Sequence, residues 1–199
     1  MSDINSIYIT CRYSNDGSGM HIARAIKQQL ELMGYKERAY FDDIGNDSIE
    51  QRAFDVIAKA KVFICVLTAD SMDKCASPID RLRMEIIQAK HCGLKMIFIN
   101  PNGDFKDNYP AGFPNELAFV KSLHHITVHM DSSFERDVAG IAEMEIAPVF
   151  MHGFSKDLVG YISLALVIIC IIISVNTHWW VGLLLFLGAS YIMSKLHII

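Results

Sequence analysis

The sequence predicts an α/β domain built on a parallel sheet, followed by a C-terminal membrane-spanning hairpin. Short apolar runs alternate with segments whose apolar residues recur every three or four positions, the pattern of parallel strands joined by helices. Residues 62–67 are six consecutive apolar residues, as expected of a central strand that is covered on both faces. Residues 158–199 contain a single charged side chain, Lys195. The chain therefore divides into a globular body and an apolar tail.

Five strands and the intervening helices can be placed along the body. Strands are predicted at residues 6–11, 62–67, 95–99 and 126–128, and a short second strand is predicted to end at residue 41. A first helix over 20–33 ends at Gly34 and carries one apolar face, formed by Ala23, Ile26, Leu30 and Met33. A second helix begins at a capping box of Asp47 and Glu50. A third helix spans 78–92, and its buried face is formed by Ile79, Leu82, Ile86 and Ala89.

The end of the body is predicted to be helical and then irregular. A short helix is expected over 114–123, and a last helix after the fifth strand is expected to begin at a capping box of Ser132 and Glu135. Residues 146–157 contain Pro148 and Gly153, which favour a linker. The predicted domain thus covers residues 1–145.

The tail has the length and polarity pattern of two membrane-spanning helices. Residues 158–175 span about 27 Å at about 1.5 Å per residue, near the hydrocarbon thickness of about 30 Å. A polar turn at 176–178 separates them from 179–199, whose Trp179 and Trp180 suit the far interface. Lys156 and Lys195 flank the hairpin, so the positive-inside rule places the body and both termini in the cytoplasm, on an inner or cell membrane. A single span with 179–199 lying in the interface is the alternative.

Composition excludes several classes of function. Of the 18 Lys and Arg, 17 precede residue 158, as do all 22 Asp and Glu, so the body has a formal charge of −5 and no basic patch for nucleic acid. Five scattered cysteines without a C-x-x-C pair fit reduced thiols and predict no metal site, and Cys75 is expected to be an exposed or half-buried thiol. The N-terminus lacks the pattern of a secretion signal.

Polar clusters follow the first three predicted strands, where a doubly wound sheet binds its ligands. These clusters are Cys11-Arg12-Tyr13, the segment 42–45 and the segment 68–71. Glu85 is predicted at the rim of the buried face of the third helix, half desolvated and directed into the cleft. Each of these features also has a purely structural interpretation. Glu85 can be a solvated surface charge, and the aspartates of segment 42–45 can be turn residues. Arg12 can form a salt bridge at the end of its strand, beside a packed Tyr13 ring.

At these positions the sequence resembles the Toll/interleukin-1 receptor (TIR) domain family over about residues 4–145. Residues 9–13 and 16–19 are similar to the first strand with its arginine-containing box and the following loop, and residues 40–45 to the strand and loop that carry contacts between TIR domains. The tract from Cys65 to Ile86 resembles the strand–loop–helix box of the enzymatic branch of the family. That box contains a Trp-x-x-x-Glu segment, in which the glutamate corresponds to Glu85 and the tryptophan to Arg81 of this sequence. The resemblance implies a five-stranded parallel, flavodoxin-like sheet with helices on both faces.

The resemblance also implies an activity and its residues. Enzymes of this branch cleave NAD at the nicotinamide–ribose bond, with NAD as substrate and no further cofactor. Glu85 would be catalytic, and the substrate-binding residues would be Arg12, Tyr13, Asp42, Thr68 and Arg81. Self-association would use the loop residues Asp43, Ile44, Gly45 and Asn46. The expected function is a membrane-anchored effector of bacterial antiphage defence, activated by self-association.

Two other functions are compatible with the same sequence. In one, the TIR-like body is a non-enzymatic assembly module, and its clustering drives the apolar hairpins together to disrupt the membrane; Arg81 in place of tryptophan favours this alternative. In the other, the protein is a signalling adaptor that recruits another TIR protein and has neither activity.

Overall fold

A computed structural model describes residues 6–13, 17–39 and 49–151, with the side chains of residues 36–39, 49–51 and 151 excepted. The chain divides into two compact units, Met1–Met151 and His152–Ile199. The predicted hairpin, residues 158–199, lies outside the described residues, as do the capping aspartate at position 47 and the predicted self-association loop. Within the described residues, none of the helices combines the length and the apolarity that a membrane span requires.

A parallel β-sheet forms the centre of the first unit, and the predicted α/β class is confirmed. Its strands are β1 (Ser6–Cys11), β2 (Lys36–Ala39), β3 (Val62–Val66), β4 (Lys95–Pro101) and β5 (His125–Val128). Their order in the sheet is β2-β1-β3-β4-β5, and all four pairings are parallel. The order reverses between β1 and β3, which is the switch point at which this topology opens a crevice beyond the carboxyl ends of the strands.

Helices cover both faces of the sheet. They are α1 (Ser18–Leu32), α2 (Ile49–Lys59), α3 (Arg81–His91), a 3-10 helix (Asn115–Ser122), α4 (Phe134–Ile141), a π-helical turn (Ala142–Ile146) and α5 (Ala147–Met151). One core joins α1 and α4 to the sheet, through residues such as Ile26 and Val138. A second core joins α2, α3 and the 3-10 helix to the opposite face, through residues such as Ile57 and Ile86.

Two residues that were predicted to be buried are exposed, because each lies just outside its helix. Ile79 is 82% exposed, since α3 begins at Arg81 with Asp80 as its N-cap. The prediction that the helix begins at residue 78 was therefore wrong. Met33 is 39% exposed, since it is the C-cap of α1 and lies beyond the last turn that faces the core.

The end of the first unit is more helical than predicted. The predicted capping box is absent: the N-cap of α4 is Ser133, which makes no side-chain cap, and its backbone N–H donates to Asp131 Oδ1 at 2.7 Å. The helix then continues through the π-helical turn into α5, into the predicted linker. It does so because the apolar stripe continues: Ile146 is buried, and the ring of Phe150 lies 6.0 Å from that of Tyr35.

Candidate active site

A cavity opens beyond the carboxyl end of β1, beside the first turns of α3. Its volume is about 150 Å³, and its lining consists of Thr10, Cys11, Arg12, Tyr13, Lys74, Arg81, Leu82 and Glu85. The cavity thus lies at the switch point of the sheet. Of the residues predicted to act on a substrate, Glu85, Arg12, Tyr13 and Arg81 are brought together here.

Glu85 is a carboxylate in the buried stripe of α3. Leu82, Glu85, Ile86 and Ala89 are the buried residues of this helix, so the spacing of the stripe places an acid where an apolar side chain is usual. The side chain is more buried than predicted, since the residue is only 2% exposed. Its Oε2 accepts a hydrogen bond from Thr10 Oγ1 at 2.6 Å, and its Oε1 accepts one from Arg81 Nε at 3.3 Å.

Burial dominates the electrostatics of Glu85. Desolvation raises the pKa of its carboxyl group, while Thr10 and Arg81 act in the opposite direction and do not cancel it. The Tyr8 hydroxyl is also buried, without a hydrogen-bond partner of good geometry among the described residues. Burial and the nearby charge of Glu85 raise the pKa of Tyr8, so this hydroxyl stays protonated beside the carboxylate.

Arg12 connects the end of β1 to the beginning of α3. Its Nε donates to the Ser71 carbonyl at 2.6 Å, and Nη1 and Nη2 donate to the two oxygens of Asp80 at 2.9 and 3.1 Å. Asp80 Oδ1 also accepts from the Arg83 backbone N–H at 3.0 Å and so caps α3. Burial opposes ionisation, yet the bonds from Arg12 hold the pKa of Asp80 below its ordinary value. Arg12 therefore makes the salt bridge that the purely structural interpretation assigned to it, while also lining the cavity.

Cys75 lies beside this ion pair and is fully buried, so the prediction of an exposed or half-buried thiol was wrong. Its Sγ lies 3.5 Å from both Arg12 Nη2 and Asp80 Oδ1. Burial, with the charge of Asp80, raises the pKa of the thiol to about 12. The thiolate that a nucleophile requires is thus disfavoured here.

The remaining predicted residues are placed differently. Tyr13 is 43% exposed at the cavity wall. Thr68 is not among the lining residues, and its hydroxyl donates to Asp70 Oδ1 at 2.7 Å within its own turn. Asp42 and the predicted self-association residues Asp43, Ile44, Gly45 and Asn46 lie outside the described residues. The described ranges contain no group of three His, Cys, Asp or Glu that could hold a metal ion.

Three residues of the site lie within the family-like segments of the sequence but were not predicted to have a role of their own. Thr10 is a polar residue in a mostly apolar, buried strand, which is itself a signal that its hydroxyl has a partner. Asp80 carries the signature of an N-cap, an aspartate directly before a helix, but nothing local indicates that Arg12 pairs with it. Lys74 reaches the cavity wall from an irregular loop, and no sequence signal announces this.

Comparisons with known proteins leave the family open. No family model matches the chain. Among solved structures, the chain is similar to the CMP N-glycosidase BcmB of Clostridium botulinum, with 16% identity over 69% of this chain and 98% of that one, and a TM-score of 0.43. A similarity this limited carries no information about the reaction.

Proposed function

We propose that the chain is a membrane-anchored, TIR-type effector that cleaves NAD at the nicotinamide–ribose bond. The observation that carries this proposal is the buried carboxylate of Glu85 at the floor of a cavity beyond β1, held by Thr10 and Arg81. A buried acid with a raised pKa in a cleft is the kind of group that marks functional sites.

The chemistry requires little beyond such a carboxylate. Water and NAD give nicotinamide and ADP-ribose: the C1′–N bond breaks, its electron pair leaves with neutral nicotinamide, and water oxygen bonds to C1′ and loses a proton. No acid is needed for the leaving group, whereas positive charge develops on the ribose. Ionised Glu85 would stabilise this charge and accept hydrogen bonds from the ribose hydroxyls. Lys74 and Arg81 supply cations at the cavity wall for the pyrophosphate.

Activity is proposed to depend on self-association through residues 43–46. Nicotinamide release by the full chain in detergent should therefore rise more than linearly with protein concentration. Glu85→Gln keeps the shape and removes the charge, and it should abolish release, whereas Glu116→Gln, at an exposed carboxylate on the 3-10 helix, should leave it unchanged. Equal release by the wild type and Glu85→Gln would exclude the enzymatic proposal.

A second candidate function is favoured by one observation at the same site. Arg81 occupies the position of the tryptophan in the enzymatic pattern, and its Nε lies 3.3 Å from Glu85 Oε1. A carboxylate that is paired in this way is less available to ribose hydroxyls. The alternative is an assembly module whose clustering drives the apolar segment 158–199 to disrupt the membrane. Depolarisation of cells that survives Glu85→Gln but not deletion of 158–199 would select this alternative.

A further inference from the structure

We propose that the amino edge of the sheet, where the strands begin, docks on an anionic lipid bilayer. This inference rests on the membrane anchoring of the proposed function but not on its NAD chemistry. The edge lies opposite the cavity, because the cavity lies beyond the carboxyl ends of the same parallel strands. Docking there would turn the cavity away from the bilayer and toward soluble substrate.

Lysines line this edge. Lys59 ends α2, Lys61 directly precedes β3, Lys90 lies in the last turn of α3 and Lys95 begins β4. Lys61 and Lys95 are neighbours, because the Lys95 backbone N–H donates to the Lys61 carbonyl at 3.1 Å. Lys59, Lys90 and Lys95 are exposed and Lys61 is half-buried. Lysines in this position interact favourably with the headgroups of acidic phospholipids.

Exposed apolar side chains lie at the same edge. Leu32 is 82% exposed and Met33 39% at the end of α1, and Met144 is 71% exposed on the π-helical turn. Contacts bring these segments close to the lysines. Glu145 of the π-helical turn pairs with Lys95 at 2.6 Å. In α5, the ring of Phe150 lies 6.0 Å from that of Tyr35, which follows α1, and 5.8 Å from Lys61 Nζ. Apolar side chains beside lysines are the combination that inserts into the boundary between headgroups and acyl chains.

The charges of the body are distributed unevenly between the two edges. Among the described residues, acidic positions at the amino edge include Glu31, Glu37, Glu143 and Glu145, of which Glu31 pairs with Lys27 at 3.8 Å and Glu145 with Lys95 at 2.6 Å. The loops at the carboxyl edge carry Asp70, Asp73, Asp104, Asp107 and Asp131, with Lys74 and Lys106 between them and Arg81 and Arg83 at the beginning of α3. An anionic surface would therefore favour the amino edge over the carboxyl edge.

The course of the chain favours a bilayer as the occupant of this surface. The last described helix, Ala147–Met151, follows the π-helical turn past Lys95 and Tyr35, so the first unit ends at the amino edge. In the sequence, the uncharged apolar run begins at residue 158, after only six intervening positions. A connection of six residues can reach at most about 20 Å, and this length permits the edge to contact the surface of a membrane that the run enters.

The test places a nitroxide label at either edge of the full chain in liposomes. In a Cys92→Ser, Cys170→Ser background, which removes the exposed thiol and the thiol of the tail, one label is introduced by Met33→Cys at the amino edge. A matched label is introduced by Ile79→Cys at the carboxyl edge, where the native side chain is also exposed. Liposomes contain phosphatidylcholine with or without phosphatidylglycerol, and collisions with an aqueous paramagnetic reagent report exposure to water.

With phosphatidylglycerol, the label at position 33 should be protected from the aqueous reagent while the label at position 79 is not. Replacing both Lys59 and Lys61 by glutamine should lower the ratio of docked to undocked protein by roughly fivefold for each lysine. A label at 33 that is as accessible as the label at 79 in protein that co-floats with liposomes would overturn docking alone. Protection that persists in detergent would also overturn it, by showing that protein covers the edge. A chain that does not co-float would overturn both docking and anchoring, while leaving NAD cleavage to be judged by nicotinamide release.

Discussion

Replacing Asp80 by alanine removes the carboxylate that joins α3 to β1. This group accepts two hydrogen bonds from buried Arg12 and one from the first turn of α3. Truncating one partner of a buried ion pair costs about 3–5 kcal/mol, because the other charge stays buried without compensation. Loss of an N-cap adds about 1 kcal/mol. The expected loss of about 4–6 kcal/mol is comparable with the entire stability of many domains, about 5–15 kcal/mol.

The measurement is thermal unfolding of the full chain in detergent, followed by circular dichroism. Asp80→Ala should lower Tm strongly or prevent folding of the first unit. Asp80→Asn keeps an acceptor for the cap and for one Arg12 bond, so its loss should be smaller. Asp73→Ala, at an exposed position in the preceding loop, is the matched control and should change Tm little. Equal Tm values for Asp80→Ala and Asp73→Ala would refute the view that this ion pair holds α3 in place.

The same ion pair predicts how the difference depends on pH. The pKa of Asp80 is held below its ordinary value of 3.8 in the folded chain. The contribution of the pair to stability is therefore fully present above that ordinary value and is lost as pH falls through the lower, folded value. The Tm difference between the wild type and Asp80→Asn should be constant near neutrality and should shrink in strong acid. A difference that grows on acidification would contradict this assignment.

Three further predictions concern the cavity and its support. Glu85→Gln should be more stable than the wild type at neutral pH, because the raised pKa of Glu85 means that the fold disfavours the ionised carboxylate. This advantage should disappear in acid, where the carboxyl group of the wild type is protonated. Measuring Tm of both proteins as a function of pH tests the prediction. Arg81→Ala should lower nicotinamide release, because it removes one of the two cations proposed to bind the pyrophosphate. An increase in release, limited to about fivefold because a partly exposed ion pair contributes about 1 kcal/mol or less, would instead show that Arg81 only restrains Glu85. Gly19→Ala should lower the free energy of unfolding by about 1–3 kcal/mol, because the new Cβ would lie 2.9 Å from the Arg12 carbonyl oxygen. Gly140→Ala, whose new Cβ would have its nearest contact at 3.6 Å, should raise the free energy of unfolding by up to about 1 kcal/mol. Denaturant unfolding of both variants under the same conditions compares the two effects.

Local sequence patterns predicted the bounds of those strands and helices whose ends do not depend on contacts with distant residues. Strand β1 has the predicted bounds, and β3 ends one residue earlier than predicted. Both strands are buried along their whole length, and β3 is apolar on both faces, a pattern that only a covered strand satisfies. The beginning of α3 was misplaced because Pro78 and Ile79 fit a helical periodicity, whereas the Asp80 cap, reinforced by Arg12 from a distant strand, decides where the helix begins. A bond between residues 68 positions apart leaves no trace in a local window.

The candidate site was predicted in part for the same reason. Glu85 was identified through its place in an ordered series of family-like segments, yet its predicted half-desolvated rim position underestimated its burial. The spacing from Leu82 and Ile86 defines an angle on the helix, but the depth of the side chain depends on what the sheet places opposite it. Here that partner is Thr10, whose hydroxyl satisfies one carboxylate oxygen and lets the acid lie among apolar neighbours.

The arrangement around Glu85 is hard to explain by stability alone. A glutamine would fit the same space, could still accept from Thr10, and would avoid the desolvation that raises the pKa of the acid. The fold therefore keeps an ionisable carboxyl group, whose burial lowers stability, at a position where a neutral glutamine could make the same contact. Such a buried ionisable group beside a cavity is typical of functional sites. Arg81 partly offsets this cost through the ion pair at 3.3 Å, although its side chain remains about a third exposed. Stability thus accounts for the presence of Arg81 but not for the charge of Glu85, and the unexplained charge favours an enzymatic role over a purely structural one.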